Sequence, residues 1–192
     1  MGTEKSWNKS RVPNFRAKWW DYSHPGEYFI TIRTKGQEHY FGQIENGKME
    51  LSPIGIIANE LWMEIPFHTS NIKLGPYVIM PDHIHGIIQI TKGDVVLGKG
   101  HAHSLQPQPQ PQSQLIQGKN RYQTIGRITI SSIIGSFKSA VTKYTHRMGY
   151  TFQWQPRFHD RMIRNPQEYH DIAEYIRNNP MKWELNHPSF GK

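Results

Sequence analysis

Two histidines spaced two residues apart, His83 and His85, are the side chains in this sequence that first suggest chemistry. They lie in an apolar stretch from Tyr77 to Ile90, broken at Pro81-Asp82, that predicts two strands. Side chains alternate between the faces of a strand, so both imidazoles share one face and the isoleucines around them form the core face. Two adjacent imidazoles can supply two ligands of a divalent metal ion. The alternative is two ordinary histidines on a half-exposed strand, and a second such pair, His101 and His103, falls in a linker-like segment.

A helix late in the sequence contributes a second group of reactive side chains. It is predicted to start at Asn165 as N-cap, with Pro166 at the first helical position, and to end before Pro180. Tyr175 falls at the edge of its apolar stripe, and Asn179 follows one turn later on the same flank. The stripe that should pack on the sheet consists of Tyr169, Ile172, Ala173 and Ile176.

This spacing suits a nucleophile followed by a metal ligand. A phenol has an ordinary pKa near 10, so it attacks phosphate poorly without help. A metal held by His83, His85 and Asn179 would polarise a scissile phosphate beside Tyr175. Attack would leave a phosphotyrosine link that conserves the bond energy for rejoining. The alternative is that Tyr175 is a rim residue and Asn179 caps the helix.

The composition favours a polyanionic partner. The chain has 192 residues, a formal net charge of +8, six Trp, nine Tyr and eight Phe, which suits phosphates together with bases that can be stacked. It has no Cys, which excludes disulfides and thiolate chemistry. Residues 1–20 lack the apolar core of a secretory signal, and no apolar run is long enough to span a membrane. We expect a cytoplasmic, nucleoid-associated protein without a membrane partner.

The remaining patterns predict an α+β fold. Aromatic and β-branched residues predict a strand over 28–33, and Asn46-Gly47 predicts a hairpin between 39–44 and 48–51. Helical spacing follows Ser52-Pro53 and returns over 129–147. This order of elements predicts an antiparallel sheet with its helices packed mainly on one face.

Two segments depart from that pattern. Residues 1–20 are polar and basic and predict an arm ahead of one catalytic domain spanning 21–192. Residues 93–124 contain glycines and a Gln/Pro repeat, which predicts a flexible insertion within the domain.

Four motifs in order resemble the HUH-type single-tyrosine transposases, and among them the REP-associated tyrosine transposases. The motifs are the Tyr77–Ile90 stretch, Phe137-Lys138-Ser139, the segment 154–164 and the segment 174–183. They extend over about residues 20 to 185. The insertion at 93–124 is not part of the family pattern.

The resemblance implies a ferredoxin-like (RRM-like) α+β fold that acts on single-stranded DNA near a hairpin, such as a REP-like palindrome. It places His83, His85 and Asn179 as ligands of Mg²⁺ or Mn²⁺, and Tyr175 as the catalytic tyrosine. Members of the wider group act as dimers that exchange helices, whereas REP-associated members can act as monomers, so a monomer and a homodimer both stay open.

Basic and aromatic residues in the middle and late motifs are the candidate DNA contacts. For each of them, a solvated surface or a core position is the alternative. The candidates are Lys138, Lys143, Arg147, Trp154, Arg157, Arg161 and Arg164, with Trp19, Trp20 and Phe158 as further stacking groups.

The expected function is that of a metal-dependent DNA strand transferase, a transposase-like nickase and ligase that works through Tyr175. Two alternatives stay open. One is a non-catalytic module of the same fold that binds hairpin or single-stranded DNA. The other is a metal-dependent nuclease in which water attacks and Tyr175 is structural. Only the first makes a covalent protein–DNA product.

Overall fold

A computed structural model describes residues 24–69, 71–91 and 129–186. The predicted arm at 1–20 and the predicted insertion at 93–124 lie outside them. Within these ranges no helix is long and apolar enough to cross a membrane. The strands are β1 (Gly26–Arg33), β2 (Gly42–Glu45), β3 (Lys48–Leu51), β4 (Ile72–Ile79), β5 (His83–Ile90) and β6 (His159–Ile163). The helices are α1 (Pro53–Met63), α2 (Ile65–His68), α3 (Ile130–Arg147) and α4 (Pro166–Asn186), with a single 3₁₀ turn at Lys35–Gln37.

The main sheet has four antiparallel strands in the order β4-β5-β1-β6. Strand β5, which contains both histidines, lies in the interior between β4 and β1. The register places Arg33 opposite His83 and Thr31 opposite His85. Strands β2 and β3 form a separate hairpin whose turn residues Asn46 and Gly47 both have positive φ, as a tight two-residue turn requires.

One face of the sheet packs against α1 and α3. Trp62 of α1 is fully buried there and its ring meets Phe137 of α3 edge to face, at a centroid distance of 5.2 Å. Gly86 of β5 lies directly beneath, since a Cβ at that position would lie 2.4 Å from Cζ2 of Trp62. The apolar face of β5, with Ile84 and Ile88, therefore forms the larger core, as predicted.

Helix α4 covers part of the opposite face. Ile176 is buried with Ile87 of β5 and Ile163 of β6, and Tyr169 lies over Gly75 of β4. Two of the three long helices thus share one face and the third crosses the other. The predicted α+β fold with an antiparallel sheet is confirmed.

The predicted helix starts are confirmed by their hydrogen bonds. The Ser52 side chain accepts from Gly55 N, and Thr129 and Ser132 form a reciprocal capping box. Asn165 Oδ1 accepts from Glu168 N at 2.8 Å. Each bond satisfies a backbone donor that the first helical turn leaves without a partner.

The predicted end of the last helix before Pro180 is wrong. Helix α4 continues through Pro180 to Asn186. Proline lacks the N–H that would bond to the carbonyl of Ile176, so local preference opposes continuation. Contacts made by the last turns of α4 outweigh that preference. The helix reaches the β2–β3 hairpin, and the Trp183 ring lies against His39 and His83.

Candidate active site

His83 and His85 lie side by side on the face of β5 that α4 crosses. Their ring centroids are 4.5 Å apart, and their exposed fractions are 6% and 5%. The predicted common face is therefore confirmed, although the strand is interior and its histidines are buried. Because a buried imidazole without polar partners is unfavourable, each of these rings needs partners for its nitrogens.

Asp82 fixes the orientation of His83. Its Oδ1 lies 2.5 Å from Nδ1 of His83, and its backbone carbonyl accepts from both the backbone N–H and the hydroxyl of Thr34. Burial alone would raise the pKa of Asp82, but the hydrogen bond and the charges of His83, Arg33 and His39 lower it below its ordinary value. A carboxylate on Nδ1 leaves Nε2 of His83 for a ligand, the usual arrangement around a metal-binding histidine.

Thr31, on the neighbouring strand β1, fixes the orientation of His85. Its hydroxyl lies 2.9 Å from Nδ1 of His85. Burial lowers the pKa of His85 to about 3, and His83 and Arg33 add to the effect electrostatically. The ring is therefore neutral at physiological pH, which is the form that binds metals. With its proton on Nδ1, the ring donates to Thr31 and presents Nε2 on the side of α4.

Tyr175 reaches the histidine pair from α4. Its hydroxyl is 3.2 Å from Nε2 of His85, and 41% of the residue is exposed. Phe29 of β1 stacks on His85 at a centroid distance of 5.3 Å and meets the Tyr175 ring edge to face at 6.2 Å. The structure thus joins residues that are 90 positions apart in the sequence, with the tyrosine partly open to solvent.

Asn179 lies one helical turn beyond Tyr175 and is 6% exposed. It lies at the inner face of α4, and no contact between its amide and either histidine is present. Its role as a third ligand stays a prediction. No cluster of three or more His, Cys, Asp or Glu side chains able to hold a metal occurs in the described ranges. A metal at this place would depend on two imidazoles, one amide oxygen and water, a donor set that divalent ions accept.

Two residues beyond Pro180 also contact the site, and the sequence patterns assigned them no role. The Trp183 ring lies 5.7 Å from that of His83, and the Lys182 ammonium lies 6.0 Å from the centre of the Tyr175 ring. Both belong to the motif at 174–183. Because the helix was predicted to end before Pro180, the sequence patterns could not place these two side chains on a helix face.

The candidate DNA contacts on α3 lie on the other layer of the molecule. Lys138 donates to the carbonyls of Gln155 and Arg157, and burial lowers its pKa. Trp154 is half-buried among core aromatics, and its indole N–H donates to the Lys138 carbonyl. Lys143 and Arg147 are exposed on the same helix. The four-stranded sheet separates all of these from Tyr175.

The candidates on β6 and its flanks lie nearer to the histidines. Arg161 is opposite Phe29 in the register, so its side chain is on the histidine face, where it pairs with Glu168 of α4. Arg164 is exposed and its backbone N–H donates to Glu168, while Arg157 has a positive φ of 66° in an exposed turn. DNA binding by these residues stays a prediction.

Comparisons with known proteins agree with this architecture. No protein-family model matches the chain. An uncharacterized protein of Haemophilus influenzae is 37% identical over 172 residues, which cover 89% of either chain. A solved structure of a REP-associated tyrosine transposase bound to a REP hairpin superposes with a TM-score of 0.54 at 19% identity, covering 87% of this chain and 74% of that one. A candidate transposase of Deinococcus radiodurans gives a TM-score of 0.43 at 13% identity, covering 84% of this chain and 95% of that one.

The chain belongs to one family with the Haemophilus influenzae protein. Its fold is that of the REP-associated tyrosine transposase. The fold that the resemblance to HUH-type transposases implies is therefore confirmed.

Proposed function

We propose that this protein is a metal-dependent single-stranded DNA transesterase that forms a phosphotyrosine intermediate through Tyr175, at or near a DNA hairpin. One observation supports the proposal above the others. The hydroxyl of the half-exposed Tyr175 lies 3.2 Å from Nε2 of His85, beside the second histidine of the pair. A purely structural role on the rim of α4 would not require the hydroxyl to lie beside Nε2 of His85.

In the proposed reaction the phenolic oxygen forms a bond to phosphorus. The bond from phosphorus to the deoxyribose oxygen of the departing strand breaks, and that oxygen leaves as a free hydroxyl. Solvent takes the phenolic proton and supplies the one that the departing oxygen gains. One phosphodiester replaces another, so the reverse attack by a strand hydroxyl rejoins DNA without a nucleotide cofactor.

His83, His85 and Asn179 would hold a divalent metal, Mg²⁺ or Mn²⁺. The metal would polarise the phosphate and offset the charge that develops on it. The chain's own contribution is to orient the ligands: Asp82 and Thr31 each occupy an Nδ1, so that both Nε2 atoms face the site. At His85 a metal would take the place of the Tyr175 hydroxyl on Nε2. Phe29 stacks against the His85 ring and supports its position.

A hairpin partner is supported by the structural neighbour, which is bound to a REP hairpin, and by the net charge of +8. Exposed cations occur on both layers, with Arg33 and Arg161 on the histidine face and Lys143 and Arg147 on α3. Such residues would bind phosphates and position the strand, whereas bases near the cleavage point would be read separately. Monomeric and dimeric forms are both compatible with this site.

The test uses a labelled hairpin oligonucleotide with single-stranded flanks, taken from the DNA around the coding sequence. We expect wild-type protein with Mg²⁺ or Mn²⁺ to give an adduct that survives denaturing electrophoresis. The adduct should vanish with EDTA, with Tyr175→Phe and with His83→Ala plus His85→Ala. The matched controls Tyr144→Phe and His170→Ala replace exposed residues away from the site and should react like wild type.

The remaining outcomes separate the alternatives. Cleavage without adduct would favour the nuclease in which water attacks. Tight hairpin binding without any cleavage would favour the non-catalytic module. An adduct that persists in Tyr175→Phe would remove Tyr175 as the nucleophile.

A further inference from the structure

We infer that Lys182 is a catalytic residue that binds the phosphate attacked by Tyr175. The inference rests on the proposed function and adds to it a cation from the protein itself. Lys182 lies in the part of α4 that follows Pro180, and its ammonium is 6.0 Å from the centre of the Tyr175 ring.

Helical geometry places Lys182 on the reactive flank of α4. At about 100° per residue, Asn179 is about 40° from Tyr175 around the helix axis, and Lys182 is about 20° from it on the other side. The three side chains therefore form one narrow stripe. The hydrogen bond between Tyr175 and His85 places the phenol against the histidine pair.

The Lys182 ammonium is available for an anion. The side chain is exposed, and it forms no ion pair with a carboxylate of the described residues. An ammonium over an aromatic face is held only loosely at an exposed site. A phosphate bound at the phenol would therefore compete successfully for it.

Lys182 differs in this respect from Lys138. Lys138 also lies over an aromatic ring, 5.6 Å from the centre of Trp154, but it is half-buried and donates to two backbone carbonyls. Those bonds use its donors inside the protein. Within the described part of the chain, the Lys182 ammonium contacts the Tyr175 ring alone, so its three donors can point outward.

In the reaction the ammonium would bind a non-bridging oxygen of the phosphate. While the phenolic oxygen bonds to phosphorus and the departing deoxyribose oxygen leaves, negative charge on the non-bridging oxygens is stabilised by Lys182. Solvent exchanges both protons, so Lys182 neither gives nor takes one. Arg33, which lies opposite His83, is a further cation on this face of β1 and β5.

The experiment measures single-turnover adduct formation on the hairpin oligonucleotide, with the limiting rate and the Kd taken from the dependence on protein concentration. Lys182→Met keeps the stem and removes the charge, Lys182→Arg keeps the charge, and Arg177→Met removes another exposed cation of α4 about 200° from Tyr175. We expect Lys182→Met to lower the limiting rate on the order of 10²-fold, with a smaller change in Kd. Lys182→Arg should recover most of the rate, and Arg177→Met should match wild type.

A second substrate distinguishes binding of phosphate from mere support of the tyrosine ring. A methylphosphonate at the cleaved position removes the negative charge that Lys182 would bind. On this substrate wild type and Lys182→Met should react at equal rates. If Lys182→Met retains its full defect there, or if it behaves like Arg177→Met on ordinary DNA, the inference is overturned while the proposed function stands. If wild type makes no adduct at all, both fail.

Discussion

Thr31 determines which nitrogen of His85 faces Tyr175. Its hydroxyl is the partner of Nδ1 at 2.9 Å, in a position only 8% exposed. Thr31→Val keeps the branched shape but removes this partner, so the ring should lose its fixed tautomer and orientation. We expect Mn²⁺ affinity, measured by calorimetric titration, to fall about 10–100-fold.

The control for this substitution is Thr142→Val. Its hydroxyl bonds to the Lys138 carbonyl within α3, on the layer remote from the histidines. The control should bind Mn²⁺ like wild type. Equal affinities in the two variants would mean that packing alone orients His85.

Sequence patterns could predict the candidate reactive groups but not the groups that orient them. His83, His85 and Tyr175 follow from a two-residue strand period and a helical stripe, both of which are local. Thr31 approaches His85 only because β1 pairs with β5 in one particular register. That register depends on packing across the whole sheet, so nothing in the sequence near His85 indicates Thr31.

Strand β5 packs closely against α1 because Gly86 has no side chain. A Cβ there would lie 2.4 Å from the Trp62 ring and 3.1 Å from Tyr77 Cβ. Trp62 is fully buried and cannot withdraw into solvent. We expect Gly86→Ala to lower the free energy of unfolding by about 1–3 kcal/mol, measured by urea denaturation.

The same substitution at Gly135 should have the opposite sign. Gly135 is exposed within α3, and a Cβ there would meet nothing within 4 Å. Alanine in a helix loses less backbone entropy than glycine, so Gly135→Ala should raise the free energy of unfolding by about 0.5–1 kcal/mol. A destabilised Gly135→Ala, or an unchanged Gly86→Ala, would contradict the packing described above.

The helix boundaries show where local signals suffice. Helix starts were predictable because Ser52, Thr129 and Asn165 satisfy backbone donors with their own side chains. The end of α4 was not, because the signal at Pro180 is outweighed by contacts made by later residues, such as the Trp183 ring against His83. Local preference gives way where distant packing is strong.

The molecule has exposed cations on both sides of its sheet. Lys143 and Arg147 belong to the α3 side, and the candidate active site belongs to the other. We expect Lys143→Ala plus Arg147→Ala to weaken hairpin binding and to reduce the slope of log K against log salt by about one for each phosphate that the variant no longer neutralises. The limiting rate of adduct formation at saturating DNA should stay unchanged, because the sheet separates these residues from Tyr175.

Fluorescence anisotropy over a series of salt concentrations gives the slope, and single-turnover kinetics give the rate. Glu64, on the α1–α2 side, offers the control Glu64→Gln, which removes a charge of the opposite sign. A lower limiting rate in the double variant would show that DNA bound on α3 affects the chemistry across the sheet.

The 90-residue separation between His85 and Tyr175 has a consequence during protein synthesis. At about 5–20 residues per second, the ribosome makes the tyrosine roughly 5–18 s after the histidines. Throughout that interval the nascent chain has the histidine pair but not the proposed nucleophile, and α4 can dock only on a sheet that already contains β4 and β5. The ability to break a DNA strand would therefore arise only when α4 has been translated and has folded onto the sheet.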